Sequence, residues 1–543
     1  NVAIGYESLL TQQTTGNGSA QLTFNTAVGD STGKNITTGV RNTIIGANAG
    51  DSLTTGTRNT AIGYLALSAE DTGSYSTAIG NQALANQDAG DAFNVAVGHN
   101  CGINVTTGTV NTLVGAFAGD ALTEGNTNVA VGYAALSAET LGDRNVAIGH
   151  GSLQSQNNTS DTDVYNVAVG YNAGNTMTTG VKNTLIGGLA GDALTTGQRN
   201  VAIGYNALTT EDAHGKNVAI GHEALRLLNA GVDGENVAVG YDTGKAMTTG
   251  IKNTIMGASA GDALTTGSNN TALGYSALST EDTGNRSVAI GNFALFSQNN
   301  DSNNDNTAVG YNAGFALTTG INNTLIGALA GDALTTGSTN VAIGYNALSA
   351  QQTNGQNVAV GAQALQNQNV SGHGNNTAIG LQAGLNITTG IKNTIIGSTA
   401  GDALTEGQNN IIIGFGSAAS AVDVNNEITL GDGNISSIRC QVQTISSLSD
   451  ERDKTNIQDS TYGLDYINSL RPVTFEWNNR EESVHKGTKD VGFIAQELQK
   501  VDDEYTKLVS TSNPERLEAS YARLIPVLVK AIQELSEEVK QLK

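Results

Sequence analysis

The chain repeats a short pattern in which small and β-branched residues follow an asparagine and end at a glycine. This pentad, Asn-x-Ala-Ile-Gly or a close variant, occurs 24 times between Asn1 and Gly414, and most copies recur with a 17-residue period. Its first residue, here termed the lead residue, is Asn in 22 copies and Ser at Ser76 and Ser287. A fixed short period predicts one backbone unit stacked on copies of itself, that is, a solenoid.

The alternation within the pentad predicts a short strand in every repeat. The glycine permits a corner, Ala-Gly or Ala-Leu begins a second short segment, and Thr-Thr-Gly closes the coil. At about 4.8 Å per coil, 24 stacked coils would form a rod of about 115 Å. Stacking in register would also align the lead asparagines into a ladder of side-chain amides. The ladder begins with Asn25, Asn42, Asn59, Asn94, Asn111, Asn128 and Asn145.

Every fourth step between lead residues is longer than the others, as from Ser76 to Asn94 and from Asn145 to Asn166, so four coils form a super-unit. Insertions confined to one coil in four indicate loops on the outside of the solenoid. Each coil offers only a few small apolar side chains, and a single chain would leave apolar faces exposed. The sequence therefore predicts a mainly β fold, a β-roll or β-solenoid, assembled as a parallel homotrimer. The pentad resembles the head repeats of trimeric bacterial adhesins, which are β-rolls whose repeats are shorter than the present one.

Composition narrows the possible partners. The formal net charge of −23 argues against binding to nucleic acid or to an anionic membrane. No run of 18 apolar residues is present, so no transmembrane helix and no membrane insertion are predicted. Cys101 and Cys440 lie in different regions and define no disulfide framework. The sequence begins in the middle of the pattern, as expected for a piece of a longer protein.

Two sets of polar or aromatic side chains in the repeat body are candidate sites. Tyr or His follows the pentad glycine in many coils, and we interpret it as a corner aromatic; glycan contact or a metal on a three-fold axis are the alternatives. Asp recurs in the AGD(A/S)L turn of every fourth coil and is interpreted as a turn cap rather than a calcium ligand. The sequence predicts no cofactor and no metal. The positions are Tyr64, Tyr133, Tyr171, Tyr205, Tyr241, Tyr275, Tyr311, Tyr345, His99, His150 and His222, and Asp51, Asp120, Asp192, Asp262, Asp332 and Asp402.

The pattern ends after Gly414, which predicts a repeat shaft over 1–414, a β neck over 415–448 and a globular α/β domain over 449–543 with a helix over 521–543. Apolar residues in that helix are spaced alternately by four and three, which is typical of a coiled-coil seam. We expect this seam to drive trimerisation, although it could equally pack within its own domain. Beyond Tyr521, the seam comprises Ile525, Leu528, Ile532, Leu535, Val539 and Leu542.

Four C-terminal motifs occur in order: SDERDKTNI (449–457), YGLDYINSLRPVTFEW (462–477), GFIAQELQKV (492–501) and YARLIPVLVKAIQEL (521–535). Together they resemble the endosialidase-type intramolecular chaperone domain that ends many phage tail spikes and fibres. The resemblance implies trimerisation of the stalk followed by self-cleavage with a Ser–Lys dyad. It implies that Ser449 is the nucleophile, Lys454 the base, and the bond between Leu448 and Ser449 the one that is cut. From the residues alone, this segment would read as a helix N-cap with a surface lysine.

We therefore predict a trimeric bacteriophage tail fibre in the virion tail that attaches to a host receptor, either a glycan or an outer-membrane component, and contacts other tail proteins. Its only predicted chemistry is single-turnover autoproteolysis. A cellular trimeric adhesin or filament at the bacterial surface is the rival hypothesis, and a glycan-degrading tailspike is the third. No pair of carboxylates stands out that would support glycan cleavage.

Overall fold

The computed structural model of the chain describes residues 1–13, 22–353, 355–435, 437–439, 441, 449–478, 486–511 and 517–543. The chain divides into two compact units, Asn1–Thr339 and Asn340–Lys543. The repeats form a parallel β-solenoid of about 24 turns, so the predicted mainly β solenoid fold is confirmed, and its assembly as a homotrimer stays a prediction.

The first unit contains strands β1 to β21, nearly all of them three residues long and placed on the pentads. In chain order they are Val2–Ile4, Thr26–Val28, Thr43–Ile45, Thr60–Ile62, Thr77–Ile79, Val95–Val97, Thr112–Val114, Val129–Val131, Gly142–Asp143, Val146–Ile148, Thr162–Asp163, Val167–Val169, Thr184–Ile186, Val201–Ile203, Val218–Ile220, Val237–Val239, Thr254–Met256, Thr271–Leu273, Val288–Ile290, Thr307–Val309 and Thr324–Ile326.

Successive pentad strands pair in parallel and without slip. Val129 lies opposite Val146, Ala130 opposite Ala147 and Val131 opposite Ile148, and the other pairings follow the same register. From β2 onward, the middle residue of each three-residue strand in this unit is buried, whereas the first and third are partly covered or exposed; in β1 all three residues are exposed. The lead asparagine and the middle alanine therefore face the interior, and the β-branched residues form the outer face of the sheet. On that outer face, Ile45, Ile186 and Ile326 are 37–38% exposed.

The corners of the coil rely on left-handed backbone at residues that rarely adopt it. Arg58, which precedes a lead residue, has φ 58°, and Leu65, two residues after a pentad glycine, has φ 54°. Each such residue costs roughly 1–2 kcal/mol in isolation. The turn directs its N–H to the neighbouring coil, since Arg58 N donates to Val40 O at 3.0 Å and Leu65 N to Ala47 O at 3.1 Å. Hydrogen bonds between coils thus offset the strain of each corner.

The four-coil super-unit has a structural basis in one buried corner, eleven residues after each lead residue. In the third coil of most super-units this corner is a buried glutamate, namely Glu70, Glu139, Glu211 and Glu281. A buried glutamine lies at the same corner of the next coil in three of these cases, at Gln87, Gln156 and Gln298. Two of the three bond to the glutamate: Gln87 Nε2 donates to Glu70 Oε2, and Gln298 Nε2 to Glu281 Oε2, both at 3.0 Å.

Gln87 and Gln298 also supply a side-chain amide in the two coils whose lead residue is serine. Gln87 Nε2 donates to Ser76 Oγ at 2.9 Å, and its Oε1 accepts from Asn94 Nδ2 at 2.9 Å. Gln298 bridges Ser287 and Asn306 in the same way, at 2.7 and 2.9 Å. A side-chain amide is therefore retained inside the coil where the lead residue lacks one.

The second unit begins with six further coil strands, β22 to β27: Val341–Ile343, Val358–Val360, Thr377–Ile379, Thr394–Ile396, Ile411–Ile413 and Ile428–Leu430. The last pairs in parallel register with Ile411–Ile413, so one more coil strand follows Gly414 inside the segment predicted as a neck. The C-terminal region then comprises a 3-10 helix at Glu451–Asp453, α1 (Leu464–Ser469), β28 (Val473–Glu476), β29 (Lys489–Gly492), α2 (Ala495–Leu498), β30 (Val509–Ser510), β31 (Glu518–Ala519), a 3-10 helix at Tyr521–Arg523 and α3 (Leu524–Gln541).

Candidate functional site

A short 3-10 helix brings Ser449 and Lys454 together. Asp450 caps the helix by accepting the N–H of Arg452 at 2.9 Å, and Lys454 follows its last residue. Within this single turn, Lys454 Nζ lies 2.6 Å from Ser449 Oγ and 3.3 Å from the Ser449 carbonyl oxygen. An amine at this distance can exchange a proton with the hydroxyl, which is the geometry that a serine nucleophile and a lysine base require.

The neighbouring charges leave Lys454 free to contact Ser449. Asp450 binds the Arg452 guanidinium through Nε at 3.0 Å and Nη2 at 2.6 Å, and this pairing lowers the pKa of the Asp450 carboxyl. The helix cap and the Ser–Lys contact therefore coexist: Asp450 supplies the cap, and Ser449 supplies the hydroxyl. Leu448, on the other side of the predicted cleavage bond, lies outside the described residues.

The lysine is solvent-exposed, as is Ser449. A lysine acts as a general base only where burial or a nearby cation favours its neutral form. The single chain therefore places the two groups at bonding distance without the low-dielectric surroundings that would activate them.

Helix α3 has two apolar faces, one packed within the domain and one exposed to solvent. Leu524, Val527 and Ala531 are buried against the rest of the domain, and Leu524 joins a small core with Leu498 and Leu508. The six predicted seam residues, Ile525, Leu528, Ile532, Leu535, Val539 and Leu542, are instead 43–87% exposed. Packing within the domain thus uses a different face of the helix, and the seam stays uncovered in the single chain.

Other contacts fix α3 relative to α1. Glu534 accepts the backbone N–H of Leu464 at 2.7 Å, which caps the start of α1. Arg471 and Glu497 form an exposed ion pair that ties the segment after α1 to α2. The seam is thereby presented on a helix with a defined position.

The lead asparagines bond from coil to coil, mostly from side chain to backbone rather than from amide to amide. In Asn25, Asn42, Asn59, Asn94, Asn111 and Asn128, Oδ1 accepts the backbone N–H of the next lead residue at 2.7–2.9 Å. The Nδ2 group of Asn128 donates to the Gly142 carbonyl at 2.9 Å, and Asn145 Nδ2 lies 3.2 Å from Asn128 Oδ1. The side-chain amide of the lead asparagine therefore supplies hydrogen-bond partners to backbone N–H and C=O groups at the start of each strand.

Rings at or near the position after the pentad glycine contact one another along the coils. His99, Phe117, Tyr133, His150 and Tyr171 form a continuous series with centroid separations of 5.2–5.8 Å. Phe117, two residues after its pentad glycine, meets His99 and Tyr133 edge to face, whereas Tyr133, His150 and Tyr171 stack. Phe117 and Tyr133 lie between His99 and His150. From Tyr133 to Tyr171 the stacked rings turn their faces toward one another, which leaves mainly their edges for a ligand.

The Asp residues of the AGD(A/S)L turns lie four coils apart, and burial raises the pKa of Asp51, Asp120, Asp192, Asp262 and Asp332. Among the described residues, three other groups have metal-ligand atoms close together: Glu70 with Asp71 and Asp88; Glu211 with Asp212 and His214; and His222 with Glu223 and Asp242. Lys245 already pairs with Glu223 and Asp242 in the third group. The buried glutamates were not singled out from the sequence, although their recurrence at the same coil of successive super-units was a visible signal.

Comparison with known proteins finds a family match in the C-terminal region. Residues 449–509 match the peptidase S74 family, chaperone of endosialidase. The chain thus carries an endosialidase chaperone domain in its C-terminal region and a β-solenoid body. The match begins at Ser449, includes Lys454 and ends before α3. No curated protein matches the chain. Within the described part of the chain, no helix is long and apolar enough to cross a membrane.

Proposed function

We propose that this chain is a subunit of a trimeric fibre of the phage-tail type that attaches to a host cell surface, and that its chaperone domain aligns the three chains and then cuts itself off before Ser449. The observation that carries the proposal is the 2.6 Å contact between Lys454 Nζ and Ser449 Oγ at the start of the family match. Ser449 Oγ would attack the carbonyl carbon of Leu448 while Lys454 takes the hydroxyl proton. The C–N bond between Leu448 and Ser449 would then break, with that proton passing to the departing Ser449 amine, and water would hydrolyse the resulting ester to a Leu448 carboxylate and the free Ser449 hydroxyl.

Two uncovered apolar surfaces support the trimer. The seam of α3 exposes six large side chains at coiled-coil spacing. The outer face of the solenoid sheet leaves β-branched side chains partly uncovered along the coils, with Ile45, Ile186 and Ile326 at 37–38% exposure. Exposed apolar surfaces of this extent mark sites of association. Because every coil has a similar sequence, neighbouring chains could associate one or more coils out of register at little cost in free energy. A trimer nucleated at α3 would fix the offset between the chains.

The exposure of Lys454 links assembly to cleavage. Burial of this lysine against a second copy would favour its neutral form and so activate it as a base. Cleavage would then follow trimerisation and would be slow in a chain that cannot assemble.

Self-cleavage is tested by mass spectrometry of the purified full chain. The native chain is expected to yield a fragment of residues 449–543, whereas Ser449→Ala stays intact and trimeric. Lys454→Arg should also stay intact, because a guanidinium does not act as a base at neutral pH. Ser536→Ala, an exposed serine on α3, serves as the control and should be cut as in the native chain. Cleavage of the Ser449→Ala chain at the same bond would refute the nucleophile assignment.

The role of the seam is tested by Ile532→Asp, with Gln533→Asp as a neighbouring exposed control off the seam. Three carboxylates forced together at one level of a coiled coil should abolish the trimer and slow cleavage. Native mass measurement and the fraction cut over time report both effects. A trimeric, normally cleaved Ile532→Asp chain would mean that the seam does not hold the assembly together.

A further inference from the structure

The residues that immediately precede the lead residues form a row along the unit Asn1–Thr339, here termed the flanking row. Backbone N–H groups along the row donate to the preceding coil, as with Lys182 to Val164 O at 2.8 Å and Arg199 to Val181 O at 3.1 Å. Coil-to-coil bonding of this kind places a flanking side chain next to its counterpart on the adjacent coil, about 4.8 Å away.

Basic residues are concentrated in this row. The unit contains eleven Lys and Arg, and eight of them occupy flanking positions. Of its 26 Asp and Glu, only Glu235 and Asp305 do so. A strongly acidic body therefore presents one line of positive charge. The side chains are exposed, and the backbone is left-handed at each of these positions, including Arg58 and Lys182. Asn or Gly would adopt that backbone at lower cost, so the large cationic side chains are not required by the turn.

The densest part of the row spans nine successive coils, roughly 38 Å at the strand spacing. It contains six cations: Arg144, Lys182, Arg199, Lys216, Lys252 and Arg286. Three of them are paired, Arg144 with Asp163, Lys216 with Asp233, and Arg286 with Asp305. Lys182, Arg199 and Lys252 have no carboxylate within 4.0 Å in the described part of the chain. Their charges are available to a ligand.

Aromatic rings interrupt the cations of the same row. The Arg58 guanidinium lies 5.2 Å from the Tyr75 ring centroid, and the Tyr75 ring stacks on Phe93 at 4.9 Å. Further along, Arg144 lies 5.4 Å from the Tyr165 ring. Tyr75, Phe93 and Tyr165 are 38–52% exposed. The row thus combines groups that bind anions with rings that pack against the apolar C–H faces of sugars.

We propose that the flanking row binds a linear acidic polysaccharide that lies along the coils. This inference rests on the attachment role proposed above and names its ligand class. Arg and Lys would bind the carboxylate groups of the polymer, with Arg able to do so through two parallel hydrogen bonds. Tyr75, Phe93 and Tyr165 would contact its sugar rings. The regular rise of the coils suits a polymer whose own repeat is regular.

Nucleic acid fits the row less well. A duplex carries about one charge per 1.7 Å, far denser than one cation every coil or two. The 24 Asp and Glu of this unit outside the row would repel so dense a polyanion more than a polysaccharide with one charge per sugar.

The test measures binding of the full chain to polygalacturonate by biolayer interferometry, with neutral dextran and single-stranded poly(dT) as comparison polymers. We expect binding to polygalacturonate that weakens as salt rises, and none to dextran. Lys182→Gln/Arg199→Gln/Lys252→Gln should weaken it about tenfold, since each exposed ion contact is worth about a factor of two or more. The matched control, Lys34→Gln/Arg226→Gln/Lys245→Gln, removes the same charge outside the row and should bind within about twofold of the native chain.

The proposal is overturned if polygalacturonate does not bind, if both triple variants lose the same affinity, or if poly(dT) binds more tightly. Native mass is measured on the same samples. Dissociation of the assembly in the flanking-row variant alone would also overturn it, because the row would then be a contact between chains. Trimers that fail to bind would refute this inference and leave the fibre proposal standing. Monomers that bind would refute the trimer and leave the row as a polysaccharide site.

Discussion

Replacing Asn128 with alanine would remove one link between coils without touching the apolar core. Asn128 is fully buried. Its Oδ1 accepts the Asn145 N–H at 2.9 Å, and its Nδ2 donates to the Gly142 carbonyl at 2.9 Å. Alanine would leave one backbone donor and one backbone acceptor inside the solenoid without a partner.

The loss of stability follows from the number of buried polar groups that are left without a hydrogen-bond partner. An unsatisfied buried backbone group costs roughly 1–3 kcal/mol, so the two backbone groups alone give roughly 2–6 kcal/mol. Asn145 Nδ2, 3.2 Å from Asn128 Oδ1, would lose this partner as well. Exposed asparagines provide the contrast: Asn104 makes the same kind of bond, from Nδ2 to the Asp120 carbonyl at 2.8 Å, but water can replace it. Asn104→Ala should cost no more than about 1.5 kcal/mol.

Hydrogen exchange of the full chain, followed by mass spectrometry, measures this locally. At about 1.4 kcal/mol per factor of ten, protection of the Asn128 and Asn145 coils should fall by roughly 30-fold to 10⁴-fold. Distant coils should change little, because each repeat contacts only its neighbours. If Asn128→Ala loosens the solenoid no more than Asn104→Ala, the buried amides do not hold the coils together as argued.

Two further changes probe the solenoid. Burial raises the pKa of Glu70 above its ordinary 4.5, so the folded state binds a proton more tightly than the unfolded chain, and stability should fall as pH rises from about 4.5 through the raised value. Glu70→Gln should make the slope of thermal midpoint against pH shallower between pH 4 and 8, with the buried Asp residues of the AGD(A/S)L turns supplying the rest, and an unchanged slope would refute the assignment. Gly46→Ala would set a Cβ 2.6 Å from the Gly63 carbonyl oxygen at φ +126°, and should destabilise the chain by at least about 3 kcal/mol. Gly90→Ala, with φ +70° but nothing within 4 Å, is the control, and equal losses of stability in denaturant would contradict the clash.

The repeat and its strands could be predicted from the sequence because both are local. Apolar and polar residues alternate within the pentad at the period of a β-strand. Because the pentad recurs regularly, stacking the repeats gives every copy the same environment. The C-terminal motifs likewise led to the prediction that Ser449 and Lys454 act together, and one 3-10 turn between them is enough to bring the two side chains into contact. Their catalytic role stays a prediction. The spacing of the α3 seam was also readable along a single helix.

Other features depend on which residues become neighbours once the coils stack. Glu70 and Gln87 are polar residues one repeat apart, and only stacking shows that they meet in a buried corner and bond to each other. Arg58 and Leu65 give no local signal for left-handed backbone, because the bonds that stabilise it come from the neighbouring coil. The sequence alone allowed the α3 seam to pack within its own domain. The structure shows that Leu524, Val527 and Ala531 pack there instead.

The flanking row shows most clearly which features the sequence determines and which depend on the stacking of the coils. Along the chain, Lys182, Arg199 and Lys216 are isolated cations, one in each of three successive repeats of an acidic sequence. Stacking brings them to successive coils on one exposed line. Sequence sets the period at which charges recur, and only the folded coil decides whether they point into the core, at a neighbour or into solvent.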